Sequence, residues 1–195
     1  MSFMSKDMRI AITGTIGSGK TMACGHIRER GYEVFDCDAY NAYLLEDGNK
    51  GNQLVKEAFP DAFDDDKLNK KKLADIVFHN RRAKDKLESI LHPLIVEGML
   101  FESMKNELFF AEVPLLFECN MECLFDHNLL IVCDEKIALE RLLERNISNE
   151  EAIDRINNQM DIKNKMLRAD EIIYNNGTLQ ELYDSIDKWL EKYVR

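Results

Sequence analysis

Residues 8–21 read MRIAITGTIGSGKT, an apolar run from Met8 to Thr13 that delivers the chain into a short segment carrying three glycines and one lysine. A helix-compatible stretch follows. Gly14, Gly19, Lys20 and Thr21 have the spacing GxxxxGK[ST] of a phosphate-binding loop, and a strand before it with a helix after it is the context that loop requires. Glycines let the main chain curl closely around an anion. Successive N–H groups of Gly14, Thr15, Ile16, Gly17, Ser18, Gly19 and Lys20, together with a helix N-terminus carrying about half a positive charge, can then face phosphate oxygens. Lys20 is placed to reach the β- and γ-phosphates of a nucleoside triphosphate, and the Thr21 hydroxyl to ligate Mg2+.

A strand that feeds such a loop restricts the fold to α/β. Further apolar runs of strand length occur at Tyr32 to Phe35, Leu108 to Val113, Leu129 to Cys133 and Glu171 to Tyr174, separated by longer helix-compatible segments. The alternation predicts a three-layer α/β fold with a parallel sheet of about five strands. Between the second and third runs, Leu54, Phe59, Leu73, Val77, Leu87, Leu91 and Ile95 recur at roughly helical spacing, so that stretch reads as several helices inside one domain. Capping-box patterns at Ser148 with Glu151 and at Thr178 with Glu181 mark two later helix starts, the second predicting a helix from Leu179 towards Tyr193. The Asp64 to Asp66 and Lys70 to Lys72 runs read as a solvated turn and helix surface.

Charge and cysteine usage narrow the partners. With 26 basic and 36 acidic side chains the net charge is -10, which opposes nucleic acid and anionic membranes. An anionic ligand must then be held locally. Cys24, Cys37, Cys119, Cys123 and Cys133 are odd in number and scattered, which suits reduced thiols and a cytoplasmic setting. The opening MSFMSKDMRI has no continuous apolar signal core, and the Leu129 to Cys133 run is far short of the ~20 residues of a membrane helix. Nothing in the chain calls for an obligate protein partner.

A guanine-reading switch would carry DxxG and NKxD, and neither pattern occurs. Kinase chemistry on a small acceptor fits better. Phe35-Asp36-Cys37-Asp38 stands where the second strand run ends, so carboxylates emerge at the carboxyl edge of the sheet. Asp38 is the candidate base that takes the acceptor's proton, and Asp36 is a candidate for the metal's water shell or the loop itself. The alternative for either residue is an N-cap on the following helix. Glu112 is either an outer-sphere metal partner or a strand-edge surface residue.

Five segments in order, ITGTIGSGKT, GYEVFDCDAY, LHPLI at Leu91 to Ile95, VPLLFE at Val113 to Glu118 and RADEIIYNNG at Arg168 to Gly177, resemble the dephospho-coenzyme A kinase family over nearly the whole chain. The resemblance implies that ATP phosphorylates the ribose 3′-hydroxyl of dephospho-coenzyme A, with Asp38 as the base, Mg2+ as the accompanying ion and no nucleic-acid or membrane partner. It extends the ATP-binding run to Met22, which stands where the family usually has a second hydroxyl. Tyr43 replaces a basic residue often found after the DxD.

The same resemblance implies a core of about 8–37, 106–134 and 169–195, a helical acceptor-binding region of about 38–105 and a lid of about 135–168. Arg141 and Arg145 lie one helical turn apart in the lid and would neutralise phosphate charge; the alternative is surface ion pairing with Glu140 or Glu144. His92 is implied near the acceptor, with a half-buried structural histidine as the alternative, and His92-Pro93 is expected to open a helix. Leu115 is expected at the cleft. Asn175 and Asn176 are candidates to approach adenine, although Asn176-Gly177 also suits an ordinary turn. Trp189, Tyr183 and Ile186 form a helix packing stripe, and Cys119 with Cys123 lacks the histidines of a convincing metal site.

Overall fold

The computed structural model describes residues 8–193; the opening segment before Met8, and with it the reading of MSFMSKD, lies outside the described residues. The chain divides into two compact units. One comprises the described residues up to Phe35 and from Ser103 onward, the other Asp36–Glu102.

The first unit is built on a parallel sheet. Its strands in chain order are β1 (Met8–Gly14), β2 (Val34–Asp36), β5 (Leu108–Glu112), β6 (His127–Val132) and β7 (Glu171–Tyr174), in the spatial order β2-β5-β1-β6-β7. β1 pairs in parallel with β5 and β6, and β6 with β7, with Ile12 opposite Glu112 and Leu129. All five expected strands are present. β1 is central because Ile10, Ala11 and Ile12 are apolar on both faces and fully buried, as a strand covered on both sides requires. Helices α1 (Lys20–Glu29) and α9 (Leu179–Leu190) bury Ala23, Ile27, Leu182, Ile186 and Trp189 in one core with Ile10, Ile12 and Phe110. The Thr178 capping box forms in full, and Ser148 Oγ accepts from Glu151 N at the start of α7 (Asn149–Asn157). Between these lie α6 (Glu135–Glu144) and α8 (Ile162–Arg168).

The helical unit holds α2 (Cys37–Leu44), α3 (Lys50–Ala58), α4 (Lys70–Phe78) and nearly all of α5 (Arg81–Ser103) around Val55, Phe59, Leu73 and Leu91. It also holds something the helical periodicity missed. Phe63–Asp64 (β3) pairs antiparallel with Lys67–Leu68 (β4), and the turn places Asp65 at φ 46 and Asp66 at φ 70, the pair of positive angles that a tight hairpin turn demands. A second correction concerns Pro93, which lies inside the 23-residue α5 and does not open it. The helix starts at Arg81 because Leu87, Leu91 and Leu94 form one continuous apolar side across the proline, and that burial outweighs the main-chain bond a proline removes.

Candidate active site

At the carboxyl edge of the sheet, β1 runs into residues 14–19 and these into α1. The loop's own packing explains its glycines. Gly17 at φ 72 and Gly19 at φ 88 adopt left-handed angles; a Cβ on Gly17 would sit 2.9 Å from Ala138 Cα, and one on Gly19 would collide with the Asn175 side chain.

The loop's carbonyls are tied back by neighbouring side chains. Gly17 O accepts from Arg141 Nη1 at 3.1 Å and from the Cys133 thiol at 3.6 Å, and Ser18 O accepts from Asn175 Nδ2 at 2.8 Å. Its amides are not. The N–H groups of Gly17, Gly19, Lys20 and Thr21 have no partner among the described residues, and α1 has no side-chain cap on its N-terminus. Thr15 Oγ1 and Ser18 Oγ are likewise buried without a partner. These donors border a cavity of about 220 Å³ lined by the whole run Gly14–Met22 with Pro114, Leu115, Arg145 and Gln159. A second cavity of about 500 Å³ shares Thr15, Ile16 and Gln159 with it and adds Cys133, Asp134 and Glu135.

One buried carboxylate organises the cationic side. Glu112, 4% exposed, lies 3.4 Å from Lys20 Nζ and 3.7 Å from Arg28 Nη2, and accepts from Thr21 Oγ1 at 3.2 Å. Its burial removes the strand-edge surface reading. Burial first, and the Glu112 charge second, push the Cys24 thiol well above its ordinary value, so Cys24 stays protonated beneath the loop.

A model of the dephospho-CoA kinase family matches residues 8–181. A Listeria monocytogenes dephospho-CoA kinase is 32% identical over 194 residues, covering 95% of this chain and 97% of that protein. The chain belongs to the dephospho-CoA kinase family. Among solved structures, a Thermus thermophilus protein superimposes with a TM-score of 0.86 at 30% identity, covering 97% of this chain and all (100%) of that one. A Campylobacter jejuni dephospho-CoA kinase gives 0.64 at 25% identity over 96% and 97%. The fold is that of a P-loop kinase.

For a dephospho-CoA kinase the expected site residues fall into three groups. Gly14 to Met22, Arg145 and the half-exposed Leu115 line the loop cavity together. Arg141 braces that cavity through Gly17 O, and neither arginine makes an ion pair among the described residues, so the surface-pairing alternative is not what α6 shows. Asn175 is the second group. Its carboxamide spans Ser18 O and, at 3.5 Å, Arg141 Nη2, and so braces the loop; Asn176 Oδ1 meanwhile accepts from Asp134 N at 2.8 Å.

The third group belongs to the helical unit. Asp36 Oδ1 accepts from Ala39 N at 2.9 Å as the N-cap of α2, the capping alternative set out above, and Asp38 is exposed in the first turn of that helix. His92 is half-buried midway along α5.

Two motif residues, Glu118 and Arg168, tie neighbouring segments together. Lys165, fully buried, meets Glu118 of the PLLFE segment at 2.7 Å, and Arg168 donates to Phe117 O at 2.8 Å and to Glu122. They fasten α8 to the segment behind Leu115. Removing one member of such a buried pair typically costs about 3–5 kcal/mol.

Proposed function

We propose that the chain transfers the γ-phosphoryl group of ATP to the ribose 3′-hydroxyl of dephospho-coenzyme A, the last step of coenzyme A synthesis, at the loop cavity. The observation that carries this reading is the set of four unpartnered amides, Gly17, Gly19, Lys20 and Thr21, opening with Lys20 and Arg145 onto one cavity. Such an array has no use in the protein alone and is matched by a polyphosphate.

The acceptor oxygen attacks the γ-phosphorus in line, the bond from that phosphorus to the β–γ bridging oxygen breaks, and ADP leaves with the electron pair. Asp38, exposed beyond the end of β2, takes the hydroxyl proton. Lys20 is oriented beforehand by Glu112 at 3.4 Å, and Arg145, at the C-terminal cap of α6, adds a permanent charge at the cavity. Arg141 acts through Gly17 O and Asn175 by holding the loop's shape.

The residues also fit Mg2+. Thr21 Oγ1 and Glu112 stand 3.2 Å apart and Glu112 Oε2 lacks a hydrogen bond, a sparse oxygen set of the kind this ion uses when phosphates and water complete its shell. Thr21 would ligate it, with Glu112 in the water shell and Asp36 kept as the α2 cap. When bound it supplies charge neutralisation at the β- and γ-oxygens.

Acceptor binding falls to the helical region 38–105, and closure over the nucleotide to the lid of about 135–168. In the helical unit a cavity of about 330 Å³ lined by Tyr40, Tyr43, Leu94 and Phe101, with the Lys50–Glu97 ion pair among its walls, offers aromatic and apolar surface to part of the acceptor. Leu115 supplies an apolar contact at the loop cavity. No helix among the described residues is long and apolar enough to cross a membrane.

The test is ADP release with dephospho-coenzyme A, adenosine and nucleoside monophosphates as acceptors. Stimulation by dephospho-coenzyme A alone is expected; release unchanged by every acceptor would contradict the reading.

A further inference from the structure

A side chain outside the loop motif meets the phosphate loop. Gln159 lies between α7 and α8, and its Oε1 accepts a 2.9 Å hydrogen bond from the main-chain N–H of Ile16, 143 residues away in sequence. A main-chain N–H can only donate, so this contact fixes the carboxamide with oxygen towards Ile16 and amino group away. Gln159 Nε2 has no hydrogen-bond partner among the described residues and is not sealed off, and Gln159 lines the loop cavity beside Lys20, Thr21 and Arg145.

The amides at the start of α1 serve the inner phosphates, and the Lys20 ammonium reaches the β- and γ-phosphates. From outside the loop, Arg145 and Gln159 are the two polar side chains that line the cavity and can add to Lys20 at the outermost phosphate. We propose that Gln159 binds substrate: Oε1 stays on the Ile16 N–H while Nε2 donates to an oxygen of the terminal phosphoryl group. The proposal rests on the reading of the cavity as the ATP site. Because one end of the carboxamide is already anchored, the donating end is positioned before charge shifts during transfer, which is the condition for a hydrogen bond to favour the transition state. The donor is neutral. It can follow the phosphoryl group from ATP to product without adding another charge beside Arg145.

Two variants separate this from simple bracing of the loop. Gln159→Met keeps the length and apolar stem but loses both polar atoms. Gln159→Glu keeps an acceptor for Ile16 N–H and replaces the donor by a negative oxygen. Each is titrated calorimetrically with a non-hydrolysable ATP analogue and with ADP, both with Mg2+, and assayed with dephospho-coenzyme A.

Gln159→Met is expected to weaken the analogue about tenfold and ADP by no more than about twofold, the ordinary worth of one hydrogen bond to a charged group. Gln159→Glu is expected to match wild type in thermal midpoint while losing at least about tenfold in analogue affinity and about a hundredfold in turnover. Equal weakening of analogue and ADP in Gln159→Met would reduce the residue to a loop brace and overturn the proposal. Wild-type analogue affinity in either variant would do the same. Wild-type protein releasing no ADP with dephospho-coenzyme A would instead break the reading of the reaction, while the analogue-against-ADP difference would still report on Gln159.

Discussion

Glu112 and Glu171 are carboxylates at opposite edges of the same sheet, and the protein satisfies them in opposite ways. Glu171 begins β7 at the amino edge and accepts from Trp189 Nε1 at 2.7 Å, from Tyr193 OH and His127 Nε2 at 3.2 Å each, and from Lys192. Glu112 ends β5 at the carboxyl edge, where Lys20 and Arg28 stand at 3.4 and 3.7 Å and its Oε2 has no hydrogen bond at all. At the same edge Thr15 Oγ1, Ser18 Oγ and the N–H groups of Gly17, Gly19, Lys20 and Thr21 also lack partners among the described residues. Glu171 at the amino edge is met by the protein's own side chains; the carboxyl edge around Glu112 holds polar capacity that folding does not use. Buried polar groups left unmatched are uncommon in folded proteins, and a cluster of them marks where a ligand completes the set.

That contrast can be broken at several points. The largest effect belongs to Lys20→Ala, which removes the loop's only side-chain cation; turnover with dephospho-coenzyme A should drop about a thousandfold, and full retention would show that the cavity is not where ATP reacts.

Next come Arg141 of α6 and Arg145 at its C-terminal cap. Arg145→Ala should lower turnover about a hundredfold and leave the thermal midpoint in place, because Arg145 makes no ion pair among the described residues. Arg141→Ala should lower both, because it releases Gly17 O as well. Reversed behaviour would show the roles to be exchanged.

The smallest effects test the two glutamates directly. Glu171→Gln should leave turnover unchanged and lower stability by about 1–3 kcal/mol, read in a denaturant titration, because Trp189, Tyr193 and His127 lose a charged acceptor. Glu112→Gln should do the opposite, lowering turnover about tenfold with little change in the unfolding midpoint. Loss of stability in Glu112→Gln greater than in Glu171→Gln would erase the distinction between the edges.

A pH profile sharpens it. Burial raises the Glu171 carboxyl, but hydrogen bonds from Lys192, Trp189 and Tyr193 outweigh it and hold the group below the usual glutamate range. The stabilisation is therefore present above the unfolded value of about 4.3 and is lost as pH falls through the folded value. Wild type should weaken on acidification below about pH 5, and Glu171→Gln should show a flatter curve there.

The sequence made the local features plain and hid the long-range ones. The phosphate loop, the five strands and the caps at Ser148 and Thr178 are written in contiguous residues, so periodicity and hydrogen-bonding chemistry locate them. Gln159 on Ile16, Asn175 on Ser18 and Lys165 on Glu118 join residues far apart in the chain, and no local pattern announces such pairs. The β3–β4 hairpin escaped because Asp65 and Asp66 adopt left-handed angles that glycine or asparagine usually signals. Pro93 misled in the other direction: a proline is read as a boundary, whereas the buried side of α5 carries the helix through it. Asp36, one of two carboxylates in a short run, proved to be the cap because its Oδ1 reaches Ala39 N.

The most direct measurement is a titration of the isotope-labelled protein with ATP and Mg2+ while its main-chain amide resonances are followed. The amides of Gly17, Gly19, Lys20 and Thr21 should show the largest displacements, moving together with one binding constant. Displacements concentrated elsewhere, with those four unmoved at saturation, would contradict the claim that they hold the triphosphate.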